Sequence, residues 1–316
     1  MIDFRYLVIT IVAIFLALGI GIMMGSGFVG DFVLRDLEAN VDEVRELNRD
    51  LNSQIGDLRS RIAADEDFAT AVQPLLIDGK LAGSKLVIIR VDGTEGQVLE
   101  SVEEAVEVSD AEIAATVTLT SKFELGNGPD IAELSEIVQG GAEEDPPRLR
   151  EAAGLLLGQR AAAVAAGPVG GNAPPGSDVD LLENFIGELQ SAGFVDVERD
   201  SDQRIIPPRA RFLIVGGHRD DAPYPVTEVT TPLASALAAA GRNVVVATEA
   251  LSSRWDIVAS VRGVASEEVS TVDDMETFEG RVSLVYALDR GLAAPPDHYG
   301  RKDGADLPSP LHTPSG

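Results

Sequence analysis

From Tyr6 to Gly30 the chain carries no charged residue, and Tyr6–Met24 (YLVITIVAIFLALGIGIMM) is almost wholly aliphatic. About 20 consecutive apolar residues are what an α-helix needs to cross the hydrocarbon core of a bilayer. A cleavable signal peptide has an apolar core of only about 7 to 15 residues, followed by a small-x-small site. Here the run is longer and ends in Met23-Met24-Gly25, so residues 6–30 are expected to form an uncleaved transmembrane helix. Arg5 and the α-amino group flank one side, whereas the other side opens on Asp31, with Arg35 its nearest base. The positive-inside tendency then predicts a single-pass protein of the cell membrane, with residues 1–5 cytoplasmic and the large C-terminal part extracytoplasmic.

Ala13, Ala17, Gly21 and Gly25 recur every four residues and so share one face of this helix, where small side chains let two helices approach closely. Gly and Ala are common in membrane helices in any case. The adjoining segment favours an interface. After a glycine-rich break (Gly25, Gly27, Gly30), residues 31–73 place Leu34, Val41, Asn48, Ile55 and Ile62 at heptad position a and Leu37, Val44, Leu51 and Leu58 at d. A seam with period 3.5 sustained over about four heptads is the pattern of a coiled coil, and leucine at d with β-branched residues at a favours a parallel dimer. A helix packed on its own domain shows a wider stripe with period near 3.6. A lone Asn at a fixes register, because it is satisfied only opposite its counterpart. From Leu34 to Ile62 the rod spans roughly 40 Å at about 1.5 Å per residue, and the helix is expected to stop by Pro74. Ala17, Gly21, Gly25 and the nine seam residues are thus the candidate dimerisation residues.

Beyond residue 79 the grammar changes. Lys85–Val91 (KLVIIRV) reads as a buried strand, 97–108 as an amphipathic helix and Glu112–Leu119 as a second strand. Later, 178–192 is expected to be helical, Arg211–Val215 a strand, 231–240 a helix ending at Gly241, and 243–247 a strand. Alternation of this kind predicts a Rossmann-like, mostly parallel α/β domain over residues 79–292, broken by the flexible stretch Gly167–Gly176. The Pro- and Gly-rich residues 293–316 read as a disordered tail.

Chemistry is sparse. Lys plus Arg number 25 against 52 Asp plus Glu, a net charge of -27, so phosphate backbones are repelled and nucleic acid is excluded as a partner. There is no cysteine, hence no disulfide, thiolate ligand or thiol nucleophile. No GxSxG elbow, Walker loop, HExxH or calcium loop occurs, and Gly216-Gly217 lacks dinucleotide-fingerprint spacing; no catalytic or cofactor-binding residue is expected, and the protein is read as non-enzymatic. His218, just past a strand end, and His298 are the metal-ligand candidates, set against the ordinary reading of loop histidines. Asp273-Asp274 is an acidic pair of a kind expected by chance in so acidic a chain.

The run ending in GIMMGSGF (Gly21–Phe28), the leucine-rich coil, LVIIR (Leu86–Arg90), ATVTLT (Ala115–Thr120), STVDD (Ser270–Asp274), GRVSLVYAL (Gly280–Leu288) and HYG (His298–Gly300) resemble, in order and over nearly the whole chain, the actinobacterial copper transporter family. The resemblance implies a cell-envelope protein linked to copper transport, with copper as the one ligand it brings. Relatives linked to daughter-cell separation imply an alternative: an envelope scaffold that regulates peptidoglycan hydrolysis through a cytoplasmic or membrane partner and a cell-wall hydrolase. Residue chemistry points away from direct transport. Cu(I) prefers thiolate, thioether and imidazole, and one apolar helix has no polar face to line a path.

Overall fold

The computed structural model describes residues 4–138, 145–167, 177–199, 204–217, 222, 224–250, 255–290 and 294–311; of residues 4, 26–40 and 42 the backbone alone is described. The chain divides into two units, Met1–Phe68 and Ala69–Gly316.

The first unit belongs to one helix, α1, which runs Phe4–Ile77 without interruption. Its stretch Arg5–Gly25, 21 residues, is long and apolar enough to cross a membrane, about 31 Å at 1.5 Å per residue. The expected break at Gly25, Gly27 and Gly30 does not occur. Glycine weakens a helix by about 1 kcal/mol against alanine but keeps its N–H, so the hydrogen-bond ladder survives. Nor does the helix stop by Pro74, which lies inside it. Near a C-terminus a proline removes little of the ladder, and here the carbonyl of Pro74 still accepts from the Asp78 amide at 2.9 Å. The extra turn also buries Ile77 completely, an effect of about 1.5–3 kcal/mol.

The second unit begins with those last turns of α1, earlier than residue 79, and is built on a seven-stranded sheet. Its strands are β1 (Lys85–Val91), β2 (Glu112–Leu119), β3 (Val195–Glu198), β4 (Arg211–Val215), β5 (Val244–Ala247), β6 (Ser270–Val272) and β7 (His298–Tyr299). They lie in the order β3-β2-β1-β4-β5-β6-β7, and every neighbouring pair is parallel except β2–β3. The helices are α2 (Gly96–Val108), α3 (Gly128–Ile137), α4 (Pro146–Ala165), α5 (Asp178–Ser191), α6 (Thr227–Ala239), α7 (Ile257–Val264) and α8 (Phe278–Asp289).

Because alternate residues of a strand face opposite ways, β1 feeds two cores. Leu86 and Ile88 pack with Ile77, α2 and α8, whereas Val87, Ile89 and Val91 pack with α4, α5, α6 and α7. Covering on both faces is why β1 reads as one unbroken apolar run. On the second face α4 and α6 meet backbone to backbone. A Cβ at Gly154 would run into the carbonyl oxygen of Val229, and one at Gly158 would lie 2.7 Å from that of Leu233. Helix α6 starts a turn earlier than expected, at Thr227.

The expected disordered tail is corrected over residues 294–311, which belong to the domain. His298–Tyr299 add a strand to β6, and Asp306 and Gly300 donate to His298 and Leu307 at 2.8 and 3.0 Å. Proline-rich composition lowers the number of donors, but it does not reveal anchors that come from elsewhere in the chain.

Candidate functional site

The carboxyl end of β6 gathers three of the stretches that carry the family resemblance: Ser270–Asp274, the Gly280 end of α8, and His298–Gly300. Strand β6 ends in two buried carboxylates with different surroundings. Asp273, wholly buried, accepts from Arg262 Nη1 at 2.6 Å and from the amides of Arg301 and Lys302 at 2.6 and 3.2 Å. Arg262, on α7, also donates to Thr271 Oγ1 at 2.8 Å and to the Tyr299 carbonyl at 3.0 Å. Its charge is therefore matched and its geometry held by α7, β6 and β7 together, as a buried ion pair requires. Gly300 sits directly over the Asp273 carboxylate at φ 128°, where a side chain would have neither the conformation nor the room.

Asp274 is the contrast. It is 1% exposed, and neither carboxylate oxygen has a hydrogen-bond partner. The nearest cation is Arg301, with Nε 4.0 Å from Oδ2. Burial, and then the negative Asp273 beside it, push its pKa up to about 7, with Arg301 and, more weakly, a side-chain contact of Thr277 opposing. The main chain of Asp274 is fixed: its carbonyl accepts from Thr277 Oγ1 at 2.8 Å, and Gly280 in the first turn of α8 packs onto it so closely that a Cβ would clash.

His298 is buried in β7, with Nε2 2.9 Å from the Ser266 carbonyl and Nδ1 2.9 Å from Thr271 Oγ1. A carbonyl only accepts, so the Nε2 bond places a ring hydrogen on that nitrogen. A metal at either nitrogen must displace one of these bonds. His218 lies outside the described residues. Met275, a soft ligand by chemistry, is wholly buried among the aliphatic side chains of the α2–α8 core.

On α1, a Cβ at Gly21 or Gly25 would meet nothing within 4 Å, and Ala17 is exposed. Val41, Val44, Leu51, Ile55, Leu58 and Ile62 are all exposed, from 40% at Val41 to 57% at Leu58. The side chains of Leu34 and Leu37 lie outside the described residues. Asn48 turns its Nδ2 to the Val44 carbonyl at 2.9 Å.

The family model described as "Copper transport outer membrane protein, MctB" matches residues 1–310. The chain belongs to this family. It is 28% identical over 316 residues to the copper transporter MctB of Mycobacterium tuberculosis (strain ATCC 25618 / H37Rv), covering 96% of this chain and 98% of the relative. With the copper transporter MctB of Mycobacterium leprae (strain TN) it shares 26% identity over 305 residues, covering 91% and 92%. The stretches Ser270–Asp274, the Gly280 end of α8 and His298–Gly300 fold together around Asp273 and Asp274. The pair is common in so acidic a chain; what distinguishes it is its position directly after the short buried strand β6.

Proposed function

We propose that this chain acts in copper homeostasis of the cell envelope as a membrane-anchored dimer, and not as the conduit for the metal. One observation carries the reading. Among the described residues a single helix is long and apolar enough to span a bilayer, and the Thr10 hydroxyl within its apolar run is bonded to the Tyr6 carbonyl of the same helix at 2.9 Å. Such a helix offers no polar lining to an ion. With residues 1–5 cytoplasmic, α1 continues as a parallel two-stranded coil through Val41, Val44, Asn48, Leu51, Ile55, Leu58 and Ile62, and carries a Rossmann-like domain outside the membrane. The exposed apolar seam supports the second copy as partner, since contiguous apolar surface of this length is unfavourable in water.

Deleting the chain from its host and measuring copper-limited growth and cell copper tests this. Increased sensitivity, restored by the native chain but not by Leu51→Glu with Leu58→Glu, is the expected result. The rod also supports a second reading, a non-enzymatic scaffold that regulates cell separation and peptidoglycan hydrolysis through protein partners. Unchanged copper content with chained, unseparated cells would favour that reading instead.

A further inference from the structure

The C-terminal strap, residues 294–311, is tied to the domain at β6 and at α7. Its amides at Arg301 and Lys302 are bonded to Asp273, its Lys302 ammonium lies 2.9 Å from Asp256, and its carbonyls at Tyr299, Lys302 and Asp303 accept from Arg262. Every one of these anchors is a matched pair. Between them and the first turn of α8 lies Asp274, with no partner for either oxygen. A buried carboxyl in that position is tolerable when it holds a proton and unfavourable when it is ionised, because Arg301 and, more weakly, the Thr277 hydroxyl compensate only part of the lost hydration.

We propose that Asp274 is a proton-operated latch for the C-terminal strap: protonated, it lets the strap close over β6; ionised, it favours lifting of the strap so that water reaches the carboxylate.

The charged groups facing Asp274 are Asp273 from β6, Glu276 from the β6–α8 connection and Arg301 from the strap itself. Asp273 and Glu276 oppose ionisation. Arg301 favours it, but its side chain is 65% exposed and 4.0 Å away, so it compensates little. Glu276 is also turned aside, with both oxygens 3.1 Å from the Ala250 amide. Gly280 packs closely on the Asp274 main chain and Gly300 on the Asp273 carboxylate. Lifting the strap exposes Asp274 and returns its pKa towards about 3.9, the usual aspartate value. The closed form binds the proton more tightly than the open one. Closure is then fully supported below about pH 4 and progressively lost as pH rises towards 7, with a plateau above.

Hydrogen exchange of the strap in the full chain, in detergent micelles, tests this once rates are corrected for intrinsic pH dependence. The amides of Arg301, Asp306 and Leu307 are expected to open about tenfold more often per pH unit between pH 5 and 6.5 and to level off above pH 7. Asp274→Asn, which cannot ionise, should leave the strap closed and abolish the pH dependence while His298 is unchanged, which separates the carboxyl from the imidazole nearby. Arg301→Gln should shift the plateau to higher pH. The same pH dependence in Asp274→Asn, or a flat profile in the native chain, overturns the proposal. Should Asp274→Asn fail to fold, direct carbonyl NMR titration of Asp274 in the native chain decides, and a midpoint near 4 overturns it.

Discussion

Gln73, near the end of α1, accepts a hydrogen bond from Arg281 Nε of α8 at 2.9 Å and donates to Glu104 of α2 at 3.1 Å, joining segments 208 residues apart in the chain. The side chain is 1% exposed. Replacing Gln73 by Ala leaves a largely buried guanidinium and a carboxylate short of a partner, a loss of about 1–3 kcal/mol. Thermal unfolding of the second unit, followed by near-ultraviolet circular dichroism in the full chain, should fall by several degrees.

The contact between α4 and α6 predicts a contrast between two glycines. Gly154→Ala forces a methyl against the Val229 backbone and should destabilise by at least about 2 kcal/mol. Gly187→Ala, on α5, meets nothing within 4 Å and gains helix propensity, so stability should rise by up to about 1 kcal/mol. Denaturant midpoints of the two variants should move in opposite directions.

The strands with strong aliphatic runs, β1, β2, β4 and β5, were legible in the sequence because burial on both faces leaves an unbroken apolar signature. Helix α4 was not. Its buried face, with Arg150, Ala153, Gly154, Gly158, Ala161 and Ala162, is built largely of alanine, glycine and an arginine while Leu155 is exposed, so little hydrophobic contrast remains to read. Strand β7 was hidden for a different reason. Two residues in a proline-rich stretch become a strand only because Asp273 and Arg262, over 25 residues away in sequence, capture the backbone around them. The weight of Asp274 was equally invisible, because it resides in its burial with little compensation, which is a property of the fold.

On copper, the second unit should hold no tight Cu(I). Both nitrogens of His298 are engaged and Met275 is packed among aliphatic side chains, while Cu(I) needs soft ligands that converge. Competition against a Cu(I) chelator is expected to leave the metal with the chelator. Retention of one equivalent, lost in His298→Gln, would place copper on the chain itself.

Asn48→Ile should raise the thermal stability of the dimeric rod while loosening its register, because a buried polar pair gives way to apolar packing and the device that selects one alignment is gone. Sedimentation of the isolated 34–64 segment should show species beyond the dimer, whereas the native segment should show the dimer alone.

The most direct measurement uses the natural lack of cysteine. In the full chain within membranes, Leu51→Cys, at a d position of the seam, should form a disulfide with its counterpart under mild oxidation, while Asp50→Cys, on the outward face of the same turn, should not. Position in the heptad is the only difference between them. Efficient crosslinking at residue 51 with little at residue 50 is the predicted result; equal crosslinking at both, or none at residue 51, contradicts the paired rod and with it the proposed dimeric anchor.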